Sequence, residues 1–285
     1  MKLVSYTYNG EEAFGAVVDE NVIDLREPSG CANLAEFVGS AVFADREELV
    51  TGRQRTPLSA VTLLPPIPKP EKIVCAVRNY MDHHQEVLAA GMKRELTDYP
   101  PIFLRVWRSQ SAHGQPIVRP RASESLDWEG ELAVIIGKEG RDIPEDSAWD
   151  YVAGYSCYND ASVREWQFHA KQIAAGKNFE NTGGFGPWMV TADEIDRGQI
   201  LKITTRLNDE VVQSGDTSHL IFSIPQLINY ASTIFTLVAG DVIVTGTPAG
   251  VGWSRKPQRF MKPGDTVEVE IESIGVLKNP VTAQG

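Results

Sequence analysis

From Lys72 onward the chain spells out eight strand-like segments: KIVCAV, PIFLRV, PIVRP, ELAVIIGK, YVAGYSCY, LKITTRLN, DVIVTGT and TVEVEIESIGVL. Against them stand three helical patterns, around 79-NYMDHHQEVLAAG-91, 162-SVREWQFHAK-171 and 224-IPQLINYASTI-234. Parallel strands need a crossover between them, usually a helix, and this order does not supply one per strand. Gly and Pro also interrupt the strands. A doubly wound parallel sheet is therefore disfavoured, and the pattern predicts an α+β fold with a large, mostly β core and few helices.

Upstream, residues 1 to about 63 carry LVSYTY, GAVVDE and NVIDL, joined by Asn-Gly and Asp-Glu turns, then weakly helical NLAEFV and REELV. They read as a small β-rich N-terminal domain. The run 64-LPPIPKPEK-72 places four prolines in nine positions. Each proline removes a backbone donor, so the run suits neither a helix nor a central strand. Residues 64–71 are the expected linker and 72–285 the second domain.

A formal net charge of −11 argues against binding a phosphate backbone, which needs clustered Lys and Arg. The N-terminus lacks the apolar core of a signal peptide, and no run approaches the ~18 apolar residues of a membrane span. A cytoplasmic protein with no membrane or nucleic-acid partner is expected. Cys31, Cys75 and Cys157 lack metal or disulfide spacing and are expected to be reduced and buried.

The chemistry is concentrated in 125-SLDWEGELAVIIGK-138. Asp127, Glu129 and Glu131 fall on alternate positions, which on a strand point to one face. A solvated face is the ordinary reading. The continuous apolar run Leu132 to Ile136 opposes it, because such runs mark strands buried on both faces, and a buried carboxylate must be paired, protonated or metal-bound. Asp160, in 154-GYSCYNDASVREWQ-167, follows an apolar strand and alone would read as a helix N-cap. Together these acids make an all-oxygen set of the kind Mg²⁺ or Mn²⁺ prefers. In 79-NYMDHHQE-86, His83 and Glu86 are three apart and share a helical face, either as an exposed pair or as a base oriented by a carboxylate. Arg164 and Gln167 follow Asp160 at helical spacing, and Lys177 precedes the Gly-rich 178-NFENTGGFGPW-188, read as a loop.

From Lys72 to Val281 the sequence resembles the fumarylacetoacetate hydrolase (acylpyruvase) family, through 72-KIVCAVRNYMDHHQE-86, 126-LDWEGELAVIIGK-138, 152-VAGYSCYNDASVREWQ-167, 246-GTPAGVG-252 and 271-IESIGVLKNPV-281. The resemblance implies a β-rich mixed sandwich or roll and a Mg²⁺ or Mn²⁺ ion held by Glu129, Glu131 and Asp160, leaving Asp127 to support them or the fold. It also implies a water-activating pair of His83 with Glu86, rather than His84, often on a lid segment. Arg164, Gln167 and Lys177 would hold or polarise substrate oxygens, and Thr247 would meet a keto-acid carboxylate. Arg105 stands where relatives often carry Lys, beside the substrate, and Glu180 and Gly184 stand where Asp and Pro are common. His113, His169 and His219 take surface or structural roles.

The activity this implies is hydrolysis of a C–C bond in a 1,3-diketo acid, an acylpyruvate or 2,4-diketo-3-deoxy sugar acid, to pyruvate and a second carboxylic acid. Decarboxylation of an oxaloacetate-type keto acid, or isomerisation or hydration of an unsaturated one, would use the same residues. A non-catalytic binding protein retaining the metal cradle is the reading from another class. The resemblance further implies a homodimer.

Overall fold

The computed structural model describes residues 1–91 and 95–285. Its main element is a twelve-stranded mixed sheet. Ten strands run from one edge to the other: Thr56–Pro57, Asn21–Asp24, Glu11–Val18, Lys2–Tyr8, Gly183–Thr191, Val152–Asn159, Gly130–Ile136, Val242–Val244, Ile73–Ala76 and Ile102–Arg105; off this path Thr62–Leu63 pairs with Lys2–Tyr8 and Gln110–Ala112 with Gly183–Thr191. A second sheet of five strands, Glu210–Asp216, Lys202–Leu207, Thr266–Ile271, Gly275–Ala283 and Ile117–Arg119, packs on one of its faces. The few helices include Leu34–Gly39, Met81–Ala89 and Ile224–Ile234. The β-rich α+β architecture expected from the sequence is the one found.

Gly130–Ile136 shows why its sequence is continuously apolar. Leu132, Val134 and Ile136 enter the core shared with the second sheet, where they meet Val269, Ile271 and Leu277. Ala133 and Ile135 face the opposite core, with Leu34, Phe37 and Val38 of the helix Leu34–Gly39. Neither face reaches water, so the period-two alternation of a half-exposed strand is absent.

The prolines of 64–71 fall where the chain leaves the N-terminal strands, yet the sheet runs through that division. Lys2 and Leu3 pair with Val190 and Met189, and Leu3 and Phe14 share a core with Ile73, Cys75 and Ala133.

Three local expectations change. The supposed Gly-rich loop contains a nine-residue strand, Gly183–Thr191, at the centre of the main sheet. Its glycines answer to packing: a Cβ on Gly183 would lie 2.8 Å from the Arg105 guanidinium, and one on Gly184 2.8 Å from Asn279. Glu210–Asp216, unread in the sequence, closes a hairpin on Lys202–Leu207 across Asn208-Asp209, both at positive φ. The helix expected over 162–171 shrinks to one turn, Arg164–Gln167, because Ser162 and Val163 pair with Asp127 and Leu126. Ile224–Ile234 forms as expected, with a Ser223/Gln226 capping box and Pro225 in its first turn. Cys31, Cys75 and Cys157 are free and buried.

Candidate metal centre and active site

Glu131 lies on Gly130–Ile136, Glu129 just before that strand, and Asp160 just after its neighbour Val152–Asn159. The antiparallel register sets Gly130 opposite Asn159, and the Asp160 N–H donates to the Glu129 carbonyl at 2.8 Å. Glu129, Glu131 and Asp160 each present a carboxylate oxygen within 4.8 Å of the others, and all three are buried. Asp160 is thus no N-cap. The alternation of acids is also not that of one unbroken strand: pairing stops after Asp127 and resumes at Gly130 in a different sheet. Asp127 consequently turns away from the triad and accepts from the Gly252 and Trp253 N–H groups (2.7 and 2.9 Å) and from Arg164 Nε (2.8 Å).

Cations balance two of the three acids. Lys177, 2% exposed, donates to Glu129 Oε2 (2.7 Å), Asp160 Oδ2 (2.6 Å) and the Asp160 carbonyl (2.9 Å), which accounts for all three ammonium protons. Arg164 bridges Asp127 and Glu129, its Nη1 lying 2.6 Å from Glu129 Oε1, and also donates to Gln167 Oε1 at 3.0 Å. Burial alone would raise the Glu129 carboxyl, but Lys177 and Arg164 outweigh it and hold that carboxyl below the ordinary glutamate range. Glu131 differs. It accepts the Gly246 N–H at 2.6 Å and forms no ion pair among the described residues. Burial, then the charges of Asp160 and Glu129, push its carboxyl well above the ordinary range. A buried carboxyl facing two others without a cation of its own, in an all-oxygen set, fits a divalent metal ion.

Arg105 corrects the sequence reading. It lines no part of the cavity over the triad. Its guanidinium, 3% exposed, donates to Asp160 Oδ1 (2.5 Å), Ser109 Oγ (3.1 Å), Thr182 Oγ1 (2.9 Å) and the Ala161 carbonyl (3.2 Å). It therefore stands behind Asp160 and fixes that carboxylate, away from the cavity, whereas the sequence reading puts it beside substrate. Lys177 and Arg164, assigned to substrate oxygens, face the cavity but spend their donors chiefly on the acids. The Thr247 hydroxyl, assigned to a substrate carboxylate, lines the cavity while donating to the Gly130 carbonyl (2.9 Å) and accepting from Gln213 Nε2 (2.8 Å).

His83 faces the cavity with Glu129, Glu131 and Asp160. Its Nδ1 lies 2.9 Å from Glu86 Oε2; a carboxylate oxygen accepts, so Nδ1 carries the hydrogen of this bond and Nε2 is the nitrogen left for the cavity. Glu86 Oε1 accepts from the Gly250 N–H (2.9 Å) and Ser254 Oγ (2.6 Å). Burial would raise the Glu86 carboxyl, yet the hydrogen bonds from His83, Ser254 and Gly250 hold it below the ordinary range. Of the adjacent histidines, His83 is the one that meets Glu86.

The cavity encloses about 60 Å³, with Phe103, Phe168, Val251 and Trp253 as its apolar walls. His113 packs against the 278 backbone and His169 against Trp166, while His219 sits in a short turn; none lines the cavity. Glu180 pairs with Arg108 at the surface. Sequence reading missed Gln213, 2% exposed, whose amide accepts the Gly130 N–H (3.0 Å) and donates to Thr247 and the Pro248 carbonyl. It also missed Ser254. Neither stands in a motif, and only the pairing of distant segments reveals them.

This fold and this acid-lined cavity place the chain among the enzymes of one family: residues 72–282 match the Fumarylacetoacetate (FAA) hydrolase C-terminal domain, and the chain belongs to that family. It is 39% identical over 268 residues, 94% of this chain and 84% of the other, to the mitochondrial oxaloacetate tautomerase Fahd2a of Rattus norvegicus. It is 41% identical over 226 residues, 79% of this chain and 74% of the other, to oxaloacetate tautomerase YisK of Bacillus subtilis (strain 168). Among solved structures it resembles maleylpyruvate hydrolase from Sphingobium sp. SYK-6 in complex with manganese (II) ion and pyruvate, with TM-score 0.83, 27% identity and full coverage of both chains. No helix among the described residues is long and apolar enough to cross a membrane.

Proposed function

We propose that the protein is a Mg²⁺- or Mn²⁺-dependent tautomerase of a 2-keto diacid of the oxaloacetate type, acting as a homodimer. The observation that carries the reading is the His83–Glu86 pair, joined through Nδ1, with His83 lining one cavity together with the carboxylate triad. The likeness to oxaloacetate tautomerases over most of the chain supports it. When bound at Glu129, Glu131 and Asp160, the ion would supply Lewis-acid stabilisation of a keto oxygen and a template for the substrate.

The chain's own groups then account for the proton. His83 Nε2 takes it from C3 of the keto form, and the C3–H electron pair becomes the C2–C3 double bond. Positive charge on His83 is stabilised by Glu86, whose carboxylate is locked by Gly250 and Ser254. Returning the proton to the C2 oxygen gives the enol, and the reverse path gives the keto form. Nothing is lost or gained in mass. Phe103, Phe168 and Trp253 give the cavity an apolar wall beside the reacting carbon. A general base of this kind is worth typically ~10²- to 10⁴-fold in rate.

C–C hydrolysis of a 1,3-diketo acid is the second reading, favoured by a cavity of about 510 Å³ adjoining the site, more room than a four-carbon substrate fills. In that case His83 would take its proton from water. Chelator-stripped protein, with and without Mg²⁺ or Mn²⁺, separates the readings. Metal-dependent acceleration of oxaloacetate enol–keto relaxation with unchanged mass supports the tautomerase. Pyruvate plus a second acid from an acylpyruvate, without accelerated relaxation, replaces it with the hydrolase, and pyruvate plus CO₂ from oxaloacetate with a decarboxylase.

A further inference from the structure

The strand Gly130–Ile136 borders a second cavity. Glu131 lines the cavity over the triad, and the next residue, Leu132, lines one of about 250 Å³ that shares no residue with it. Successive side chains of a strand point to opposite faces, so the strand stands between the two. Leu132 and Tyr155 come from neighbouring strands of the main sheet, Leu201 from just before the strand Lys202–Leu207, and Ile224 and Pro225 from the first turn of the helix Ile224–Ile234. These elements meet in one apolar core. An apolar hole of roughly 150 Å³ is enough to take up benzene, so this cavity has room for a single ring with a substituent.

Two features define what would enter. Tyr155 is 3% exposed and lines this cavity, and its hydroxyl has no hydrogen-bond partner among the described residues. A polar group so deeply placed ordinarily has one. Burial pushes its phenol up to about 12, so the hydroxyl stays protonated and has a hydrogen to donate. The second feature is charge. No Lys, Arg or His is among the described lining residues, and Asp196 stands at the exposed rim. Arg197 beside it pairs with Asp150 at the surface, at 2.6 Å. The rim hydroxyls serve their own turns: Thr217 Oγ1 accepts the Leu201 N–H (2.9 Å), and Ser218 Oγ donates to Asp216. An anion would find no cation here and would meet Asp196, which sets this cavity apart from a keto-acid site.

We propose that this cavity binds a second small molecule, an uncharged aromatic compound carrying one hydrogen-bond-accepting oxygen. The ring packs among Leu132, Trp149, Leu201 and Ile224, where the Trp149 and Tyr155 rings favour another aromatic, and the oxygen accepts from the Tyr155 hydroxyl. Because the two cavities have no residue in common, the site does not depend on the tautomerase reading.

The test uses fluorine NMR on the Mg²⁺-loaded protein with 4-fluoroacetophenone and 1-fluoro-4-isopropylbenzene, which match in size and differ in the acceptor oxygen. The wild type is expected to bind the ketone saturably. In Tyr155→Phe the ratio of affinities, ketone over alkylbenzene, is expected to fall roughly two- to tenfold, the worth of one neutral hydrogen bond. The anion 4-fluorobenzoate is expected not to displace the ketone. Tyr155→Phe removes a hydroxyl without a partner, so its urea midpoint should be no lower than that of the wild type; a clear drop would show the hydroxyl already bonded within the fold and would overturn the proposal. The same follows from no saturable binding at millimolar ketone, from an unchanged ratio in the variant, or from displacement by 4-fluorobenzoate.

Discussion

Glu131 is the triad member with no ion pair among the described residues, and the balance of charge around it is what a metal ion would complete. With the ion removed by chelation, Glu131→Gln relieves repulsion from Glu129 and Asp160, so the variant is expected to melt no lower than the wild type. Adding metal then separates them. At a hundred times its Kd, Mg²⁺ or Mn²⁺ should stabilise the wild type by about 2.7 kcal/mol, and thermal melts should show that gain vanish in the variant. Arg105 is the converse case. It is fully enclosed by Asp160, Ser109, Thr182 and the Ala161 carbonyl, so Arg105→Met leaves Asp160 with a buried charge balanced, among the described residues, by Lys177 alone. A loss of about 3–5 kcal/mol in urea unfolding is expected. His83→Ala touches neither balance: turnover should fall roughly 10²- to 10⁴-fold while the metal-induced rise in melting temperature stays, and a small loss of turnover would remove His83 as the base.

At the scale of elements, one loop joins the triad to the base. Between residues 246 and 253, five backbone N–H groups are taken by four acids: Gly246 by Glu131, Ala249 by Asp82, Gly250 by Glu86, and Gly252 and Trp253 by Asp127. The helix Met81–Ala89 has no side-chain N-cap, so its register over the cavity depends on this loop through Asp82 and Glu86. Gly252 is the tightest point, since a Cβ there would lie 1.8 Å from the Arg259 carbonyl and 2.7 Å from Asp127. Gly252→Ala must displace backbone, at about 1–3 kcal/mol by analogy with overpacking. The expected signature is a joint loss of metal affinity and turnover, measured by calorimetry and kinetics. Loss of stability alone would show that the loop does not couple the two groups.

For the whole molecule, the sheet is the unit of stability. The strand Gly183–Thr191 has Lys2–Tyr8 on one side and Val152–Asn159 on the other, and Leu3 and Phe14 complete a core that also holds Ile73 and Ala133. Deleting residues 1–63 would unpair Met189 and Val190 and uncover one core face, which invites association through exposed apolar surface. The truncated chain is expected to aggregate on expression. A soluble 64–285 fragment with a cooperative melt would establish the N-terminal segment as separable. Sedimentation of the intact protein at working concentration tests the homodimer, which requires twice the single-chain mass.

How much of this was legible in the sequence follows from the range of each interaction. Strand and helix types came from local periodicity, which is why Gly130–Ile136 and Ile224–Ile234 stood out, and the family could be recognised because its motifs are contiguous. Gly183–Thr191 was illegible as a strand because its four-residue opening, GGFG, carries little strand propensity; the glycines are there for Arg105 and Asn279, which lie far away in the chain. The sequence by itself determined a β-rich core, the acids Glu129, Glu131 and Asp160, and the His83–Glu86 spacing. Only the tertiary structure decided that Asp127 pairs with Arg164 and the 252–253 backbone, that Arg105 stands behind Asp160, and that Glu131 has no ion pair among the described residues. Charge partners here are set by strand register and loop closure between residues tens of positions apart, and no local pattern encodes those distances.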